Sequence, residues 1–374
     1  MRLALILIYP PSSPVLRMKT PKILSGETME KILTKKSFPQ WVEKLSSYKI
    51  YAPVKNDNIC TLEAIDNPKN IDMDCSSTIL SPKKIIFPQK EIYLEFEASD
   101  ENKLQVKEIL PEETPSVIFG VRPCDAKALA LTDKVFGGDF KDPYYWKRRN
   151  STALIGLACT TPPSSNCFCL FVKGSPYSKE GLDILMTDLG DKYFVESLSE
   201  KGGTLIDLAK SLFQQPKAAD KKAVEKAQAE AEKKITRQIK DIKKIPSLLK
   251  NMFDSPFWDE GSLSCLRCGI CTYLCPTCHC FDINDEVASS SPIKGKRIRT
   301  WDNCQFPDFT MHSSGHNPRP DRASRLRQRI LHKFQYFVEL YKDYQCTGCG
   351  RCISKCPVGI DIIEVLDKVS DYGS

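Results

Sequence analysis

The chain has 374 residues, of which 41% are hydrophobic and 27% are charged. This composition is typical of a globular protein with room for two or three domains, and it excludes general disorder and collagen-like repeats. The 54 Lys and Arg residues stand against 47 Asp and Glu residues, and the resulting net charge of +7 is too small to indicate nucleic-acid binding by itself.

Residues 1–28 are predicted to be an extended start that is not part of the fold. Leu3–Tyr9 is apolar and follows Arg2, as in a signal peptide, but it runs into a proline pair without a small-residue cleavage site. We therefore favour a chain that is not secreted, and a regular amphipathic pattern begins only at Met29. No stretch approaches the roughly 18 apolar residues that a membrane-spanning helix needs.

Residues 29–202 are predicted to form a mixed α/β domain. Ser116–Val121 and Ala153–Leu157 are short apolar runs typical of buried strands, and Ala126–Val135 between them has helical spacing. Further strand-like stretches, the last two forming a predicted hairpin, are Tyr51–Val54, Ile85–Phe87, Ile92–Phe96, Leu182–Thr187 and Lys192–Glu196.

Residues 203–256 are predicted to be a helical linker. Apolar residues recur at intervals of three and four from Val224 to Ile242, which predicts an amphipathic helix that ends before Pro246. The Lys, Glu and Gln residues of this helix are predicted to face solvent.

Cysteine is the unusual residue of the chain, with 17 Cys against four His. The run C-x2-C-x2-C-x3-C-P occurs twice, at Cys265, Cys268, Cys271 and Cys275 and again at Cys346, Cys349, Cys352 and Cys356. This run is the pattern of bacterial ferredoxins, which bind [4Fe–4S] clusters. Residues 257–374 are therefore predicted to form an α-helical ferredoxin-type dicluster domain, and the fold class of the whole chain is α+β. Thiolate ligands need reduced cysteine, which favours a cytoplasmic setting.

The ferredoxin pattern predicts how the ligands divide, because the cysteine before the proline binds the other cluster. The first cluster is predicted at Cys265, Cys268, Cys271 and Cys356, and the second at Cys346, Cys349, Cys352 and Cys275. Zinc is the alternative, since two C-x2-C pairs can form a zinc ribbon, but four ligands would then suffice. Glycines within the runs let the backbone approach the cluster sulfides. Two such clusters pass single electrons and leave no open position for substrate, so no catalytic residue is expected.

A third set of four cysteines follows the buried runs of the first domain: Cys124, Cys159, Cys167 and Cys169. Ligands of open α/β sheets bind at the carboxyl ends of the strands, where Cys124 and Cys159 are expected. A possible third [4Fe–4S] cluster is predicted here, and the alternatives are ordinary buried cysteines or one reactive thiol.

The segment between the two runs contains additional cysteines and basic residues. Cys278, Cys280 and Cys304 could be further ligands together with His279, His312 or His316, but packing or hydrogen-bonding roles are commoner and we assign them no metal. The basic residues are Arg322, Arg325, Arg327, Arg329, His332 and Lys333. We expect them to neutralise the clusters and raise their potentials, and we favour this role over nucleic-acid binding.

Several motifs together resemble the beta subunit of cytosolic NiFe hydrogenase/sulfhydrogenase and the related A subunit of anaerobic sulfite reductase. They are Gly120–Asp125, Cys159 with Cys167-Phe168-Cys169, Cys275-Pro276-Thr277-Cys278, Trp301-Asp302 and Arg329–Phe334. The resemblance runs from about Met29 to Asp367, and His279 is its one departure, where an aromatic residue is expected.

The resemblance implies a cytoplasmic electron-transfer subunit of an anaerobic oxidoreductase, with [4Fe–4S] clusters. Its implied partners are a flavin subunit that exchanges hydride with NAD(P)H and a separate catalytic subunit. The sequence has no G-x-G-x-x-G motif after a strand, no NiFe ligand pair and no sirohaem site. Two other hypotheses stay open: a stand-alone redox enzyme that uses the Cys124, Cys159, Cys167 and Cys169 centre, and a zinc-stabilised nucleic-acid-binding module.

Overall fold

The computed structural model describes residues 29–57, 59–98 and 103–372, so the predicted extended start lies outside the described residues. The strands are β1 (Met29–Thr34), β2 (Lys49–Asn56), β3 (Ile59–Ala64), β4 (Lys90–Ala98), β5 (Leu104–Glu108), β6 (Ser116–Val121), β7 (Thr152–Leu157), β8 (Ile184–Asp188), β9 (Lys192–Ser197), β10 (Phe281–Ser290) and β11 (Ile293–Trp301). The α-helices are α1 (Phe38–Lys44), α2 (Lys83–Ile86), α3 (Pro123–Phe136), α4 (Pro143–Ser151), α5 (Glu200–Asp207), α6 (Ala218–Lys233), α7 (Ile245–Lys250), α8 (Phe257–Gly261), α9 (Ile270–Tyr273), α10 (Arg322–Leu331), α11 (Phe337–Tyr341), α12 (Arg351–Ser354) and α13 (Ile362–Tyr372). Short 3-10 turns lie at Pro68–Asn70, Cys169–Val172, Lys210–Leu212 and Asp308–Thr310, and His332–Tyr336 is a π-helical turn.

A seven-stranded mixed sheet forms the N-terminal region, in the order β1-β9-β8-β7-β6-β2-β3. Strands β2, β6, β7 and β8 are parallel neighbours, and the other three strands join at the sides as antiparallel partners. Strand β7 is buried along its whole length and β6 at all positions but one, as expected for central parallel strands covered on both faces. The carboxyl ends of β6 and β7 therefore meet at one edge, directly before the third set of cysteines.

A second sheet joins the two halves of the chain. It has four antiparallel strands in the order β10-β11-β4-β5, so a hairpin from between the two cysteine runs pairs with a strand of the N-terminal region. The α+β class is confirmed, but the C-terminal region is not purely α-helical as predicted. Strand β10 is exposed at almost every position, so its side chains lack the apolar alternation that marks a half-buried strand.

Buried ion pairs fix this hairpin to the N-terminal region. The guanidinium of Arg299 on β11 is fully buried, and it donates to Glu91 of β4 and to Asp142 Oδ2 at 2.5 Å. The same guanidinium lies 4.8 Å from the ring centre of Phe87 and 5.2 Å from that of Phe281. A buried charge is tolerated only when it is well paired, so these contacts specify where the hairpin lies.

Two predicted elements differ from the structure. Ile85–Phe87 is not a strand: its first two residues end the short helix α2, and Ile86 and Phe87 are buried. A short apolar run buries its side chains equally well in either conformation, so periodicity does not distinguish the two. The predicted linker helix ends at Lys233, before Ile235 and Ile239, yet both isoleucines are buried. The apolar sequence pattern extends beyond the end of the helix because the turns that follow it also bury their isoleucines.

Cys60 of β3 and Cys75 form a disulfide that spans 15 residues, whereas the eight cysteines of the two runs and the four of the third set are free. Within the described ranges, no helix has the length and apolar character to cross a lipid bilayer.

Candidate metal centre

The first cysteine run forms a tight loop that enters helix α9. Gly269 precedes this helix with a φ of +74°, and a Cβ there would lie 2.5 Å from Asn303 Nδ2, so glycine is required on both counts. The predicted ligands of the first cluster all line one cavity: Cys265, Cys268, Cys271 and Cys356. Cys352 of the second run lines the same cavity. The structure therefore places Cys356, the last cysteine of the second run, beside the first three cysteines of the first run.

The second run repeats this geometry. Gly350 precedes helix α12 with a φ of +73°, close to the value at Gly269. Cys275 Sγ lies 3.2 Å from Thr277 Oγ1, which donates to the carbonyl of Gln345, directly before Cys346, at 2.8 Å. Burial is the main cause of the raised pKa of Cys346, Cys349 and Cys352, and the thiol of Cys275 raises each pKa further. The predicted ligands of the second cluster are thus also neighbours in space.

Arg329 lies near cysteines of both runs and is buried. Its Nη1 is 3.6 Å from Cys278 Sγ and 3.5 Å from Thr272 Oγ1. Burial opposes its charge, but the thiols of Cys271, Cys278 and other cysteines outweigh burial and raise the pKa of Arg329. In the described part of the chain, its buried Nη2 has no hydrogen-bond partner. A buried cation with a free donor beside all-sulfur ligand sets fits an anionic iron–sulfur cluster.

A further buried cation beside the thiols is Lys333, which belongs to the π-helical turn that follows α10. Its Nζ donates to Cys275 Sγ at 3.2 Å, to Thr277 Oγ1 at 3.0 Å and to the Gln345 carbonyl at 3.0 Å. Burial opposes the charge, but Cys275 and Cys278 raise the pKa of Lys333 above its usual value. A π-helical turn often marks a functional position, and here it aims an ammonium group at a predicted ligand.

Burial dominates the thiol pKa values. It raises the pKa of Cys167 to about 11, and those of Cys169 and Cys346 to about 12. Cys275 differs, because a hydrogen bond from Cys278, with Lys333 and Arg329 nearby, holds its pKa well below the usual value. Buried thiols become ligands only as thiolates, so binding of a cationic metal centre has to offset the desolvation.

The third set of cysteines lies at the carboxyl edge of the large sheet. Cys124 is in the first turn of α3, just after β6, and Cys159 follows β7. Cys167 and Cys169 belong to the loop that leads into a 3-10 turn. All four line one cavity, and Cys349 of the second run lines it as well.

Two contacts attach this third set to the second run. Arg351, between two predicted ligand cysteines, donates to both carboxylate oxygens of Asp125, next to Cys124, at 2.6 and 2.8 Å. The backbone N–H of Phe168 donates to the Gly348 carbonyl at 2.9 Å. A Cβ at Gly348 would lie 2.6 Å or less from backbone atoms of Phe168 and Cys169. The two loops are therefore packed backbone to backbone.

Cys280 and Cys304 lie near each other. The interaction of their thiols lowers the pKa of Cys304 to about 5 and raises that of Cys280. His279 is a buried neighbour of Thr277: its Nδ1 lies 3.2 Å from the Thr277 carbonyl oxygen. Burial lowers the pKa of its imidazole to about 4.

His312 and His316 lie exposed in a loop, with their rings 5.3 Å apart. Over the described ranges, no three His, Cys, Asp or Glu side chains are close enough together to hold a single metal ion.

No pattern in the sequence predicts a role for Lys83 near the cysteine runs. This buried side chain of α2 donates to the carbonyls of Cys275 at 3.0 Å and Cys278 at 2.8 Å, across more than 190 residues. Its Nζ also lies 4.0 Å from the ring centre of Trp301. A lysine beside a short apolar run carries no local signal for such a role, because the contact exists only once the two halves of the chain have packed together.

The contact between the second run and the third set predicts the effect of Gly348→Ala. Gly359→Ala is a matched control, because Gly359 has a φ of +70° against +66° at Gly348 but no atom within 4 Å of the place that a Cβ would take. Each substitution should lower the free energy of unfolding by about 1–2 kcal/mol, because alanine disfavours the left-handed conformation. Gly348→Ala should lower it clearly further, because its Cβ also meets backbone atoms, and it should speed alkylation of Cys167 and Cys169. Thermal unfolding and thiol labelling measure both, and equal effects of the two variants would contradict the packing described.

Comparison with known proteins agrees with this geometry. The family model of the 4Fe-4S dicluster domain matches residues 264–360, which contain both cysteine runs. The chain is similar to sulfhydrogenase 2 subunit beta of Pyrococcus furiosus, with 30% identity over 342 residues that cover 89% of this chain and 96% of that protein. The resemblance to the hydrogenase beta subunit is thereby confirmed. The chain belongs to the sulfhydrogenase beta-subunit family, and it is an iron–sulfur protein with a 4Fe-4S dicluster domain.

Proposed function

We propose that the chain passes single electrons between a flavin subunit that exchanges hydride with NAD(P)H and a separate catalytic subunit of hydrogenase, sulfhydrogenase or sulfite-reductase type. The observation that carries this proposal is the contact between the cysteine groups. Cys352 lines the cavity of the first set, and Cys349 lines the cavity of the third. The second run thus borders both other sets, which is the arrangement that a relay requires.

The proposed ligands are the two predicted sets and the third set. Cys265, Cys268, Cys271 and Cys356 would hold one [4Fe–4S] cluster, and Cys346, Cys349, Cys352 and Cys275 a second. A third is proposed at Cys124, Cys159, Cys167 and Cys169. When bound, such clusters take up and release one electron each without an open coordination position. We propose a reducing cytoplasmic setting, because every one of these ligands has to be a reduced thiolate.

The surroundings of the thiols support a relay more than a nucleic-acid-binding module. Arg325, Arg329 and Lys333 are all buried. Arg325 donates to the carbonyls of Arg319 at 3.0 Å and Pro320 at 2.7 Å. Its guanidinium therefore stabilises the loop that contains these two residues. These side chains are not available to a phosphate backbone, which binds cations on an exposed surface.

The number of clusters is tested by Cys159→Ser, with Thr160→Ser in the same loop as the control. After anaerobic purification, the wild type and the control should each contain about 12 Fe and 12 acid-labile sulfides per chain, and Cys159→Ser about eight of each. Chemical analysis with EPR of the reduced protein measures this. About eight Fe in all three proteins would refute the third cluster, and zinc without sulfide would refute the proposed function.

Lys333→Met tests the electrostatic role of the buried ammonium, with the exposed Lys368→Met as the control. A positive charge near a ligand thiol stabilises the reduced, more negative form of a cluster, so its removal should lower one reduction potential by on the order of 100 mV. The control should shift little, because solvent screens an exposed charge. An EPR-monitored redox titration gives both values. An unchanged potential in Lys333→Met would show that this lysine has only a structural role.

A further inference from the structure

Cys280 and Cys304 are not needed by any of the three proposed ligand sets. They flank the base of the β10–β11 hairpin: Cys280 directly precedes β10, and Cys304 follows the end of β11. The backbone N–H of Asp302 donates to the Cys280 carbonyl at 3.0 Å, which holds the two segments side by side. The two thiols are near enough for each to shift the pKa of the other.

The pair lies beside both predicted cluster sites. Thr272 Oγ1 is 3.9 Å from Cys304 Sγ and also 3.9 Å from Cys271 Sγ, a predicted ligand of the first cluster. On the other side, the backbone N–H of the neighbouring Cys278 donates to the carbonyl of Cys275, a predicted ligand of the second cluster, at 3.4 Å. Few atoms therefore separate the pair from either cluster.

The environment of the pair favours a reactive thiolate over an inert buried thiol. Gln305 Nε2 donates to Cys304 Sγ at 3.4 Å, and the guanidinium of Arg329 reaches Thr272, which contacts the same sulfur. Cys280 is only partly buried. Thiols near cations and donors, with some access to solvent, are the ones that undergo redox chemistry.

We propose that Cys280 and Cys304 are a redox-active thiol pair. The two S–H bonds break and one S–S bond forms, two protons leave to solvent, and the two proposed clusters accept one electron each. The reverse reaction takes one electron from each cluster and two protons, and it restores both thiols. Formation of the bond requires the two sulfur atoms to approach to about 2.05 Å. This inference rests on the proposed function for its electron acceptors, and it assigns the chain a two-electron store between one-electron carriers.

The test uses the intact holoprotein, purified anaerobically and held at a series of potentials with redox mediators. Samples are quenched in acid, free thiols are alkylated, and the Cys280–Cys304 disulfide is quantified by mass spectrometry. The disulfide should appear and disappear reversibly, with a tenfold change in its ratio to the dithiol for about 30 mV, the slope of a two-electron couple. Iron, sulfide and EPR signals are measured on the same samples.

Cys280→Ser and Cys304→Ser should each abolish this transition while the iron content and the cluster EPR signals stay at wild-type values. Cys278→Ser, which removes the neighbouring thiol, should retain the transition. Clusters that are present while Cys280 and Cys304 stay reduced at every potential would overturn the inference alone. In a parallel sample that is alkylated without the acid quench, protection of both thiols by a bound metal ion would overturn it as well. Absence of the clusters would overturn both the inference and the proposed function.

Discussion

The arrangement of this protein depends on cations that are buried beside thiols. Arg329 and Lys333 are both removed from water, and each lies within about 4 Å of a cysteine sulfur. A buried cation without an anion is strongly destabilising, so these side chains need negative charge beside them in the folded state. The clusters that we propose for the two cysteine runs, with their thiolate ligands, would supply that charge. On this proposal, folding of the C-terminal region and assembly of the centres are coupled by electrostatics.

The N-terminal region contributes to the same centre. Lys83 holds the carbonyls of Cys275 and Cys278, and Asp125 holds Arg351 of the second run. The shared sheet, with Arg299 paired to Glu91, fixes the hairpin that leads from the first run. These contacts join residues that are distant in sequence, so the N-terminal region contributes directly to the surroundings of the two cysteine runs.

Local sequence patterns predicted the dicluster domain and the central strands of the large sheet. The two runs specified the domain of the dicluster family, since the spacing of ligands in a loop is a local property. The apolar runs at Ser116–Val121 and Ala153–Leu157 identified the central strands, because burial on both faces leaves a continuous apolar signal.

What the sequence did not reveal depends on contacts between distant segments. The β10–β11 hairpin is held by pairing with β4 and by Arg299, and neither contact leaves a pattern within the hairpin itself. The positions of Lys83 and the Cys60–Cys75 disulfide are likewise tertiary properties. The contact of Cys280 with Cys304 arises only when the hairpin forms, and this is why the two cysteines had no evident role in the sequence.

We propose that each iron–sulfur cluster is bound by cysteines from both runs. Anomalous scattering at the iron edge, from a crystal of the anaerobically purified protein, tests this most directly. We expect compact four-iron peaks, one among Cys265, Cys268, Cys271 and Cys356 and one among Cys346, Cys349, Cys352 and Cys275. Single metal atoms at these positions, or clusters held by the four cysteines of one run alone, would contradict it.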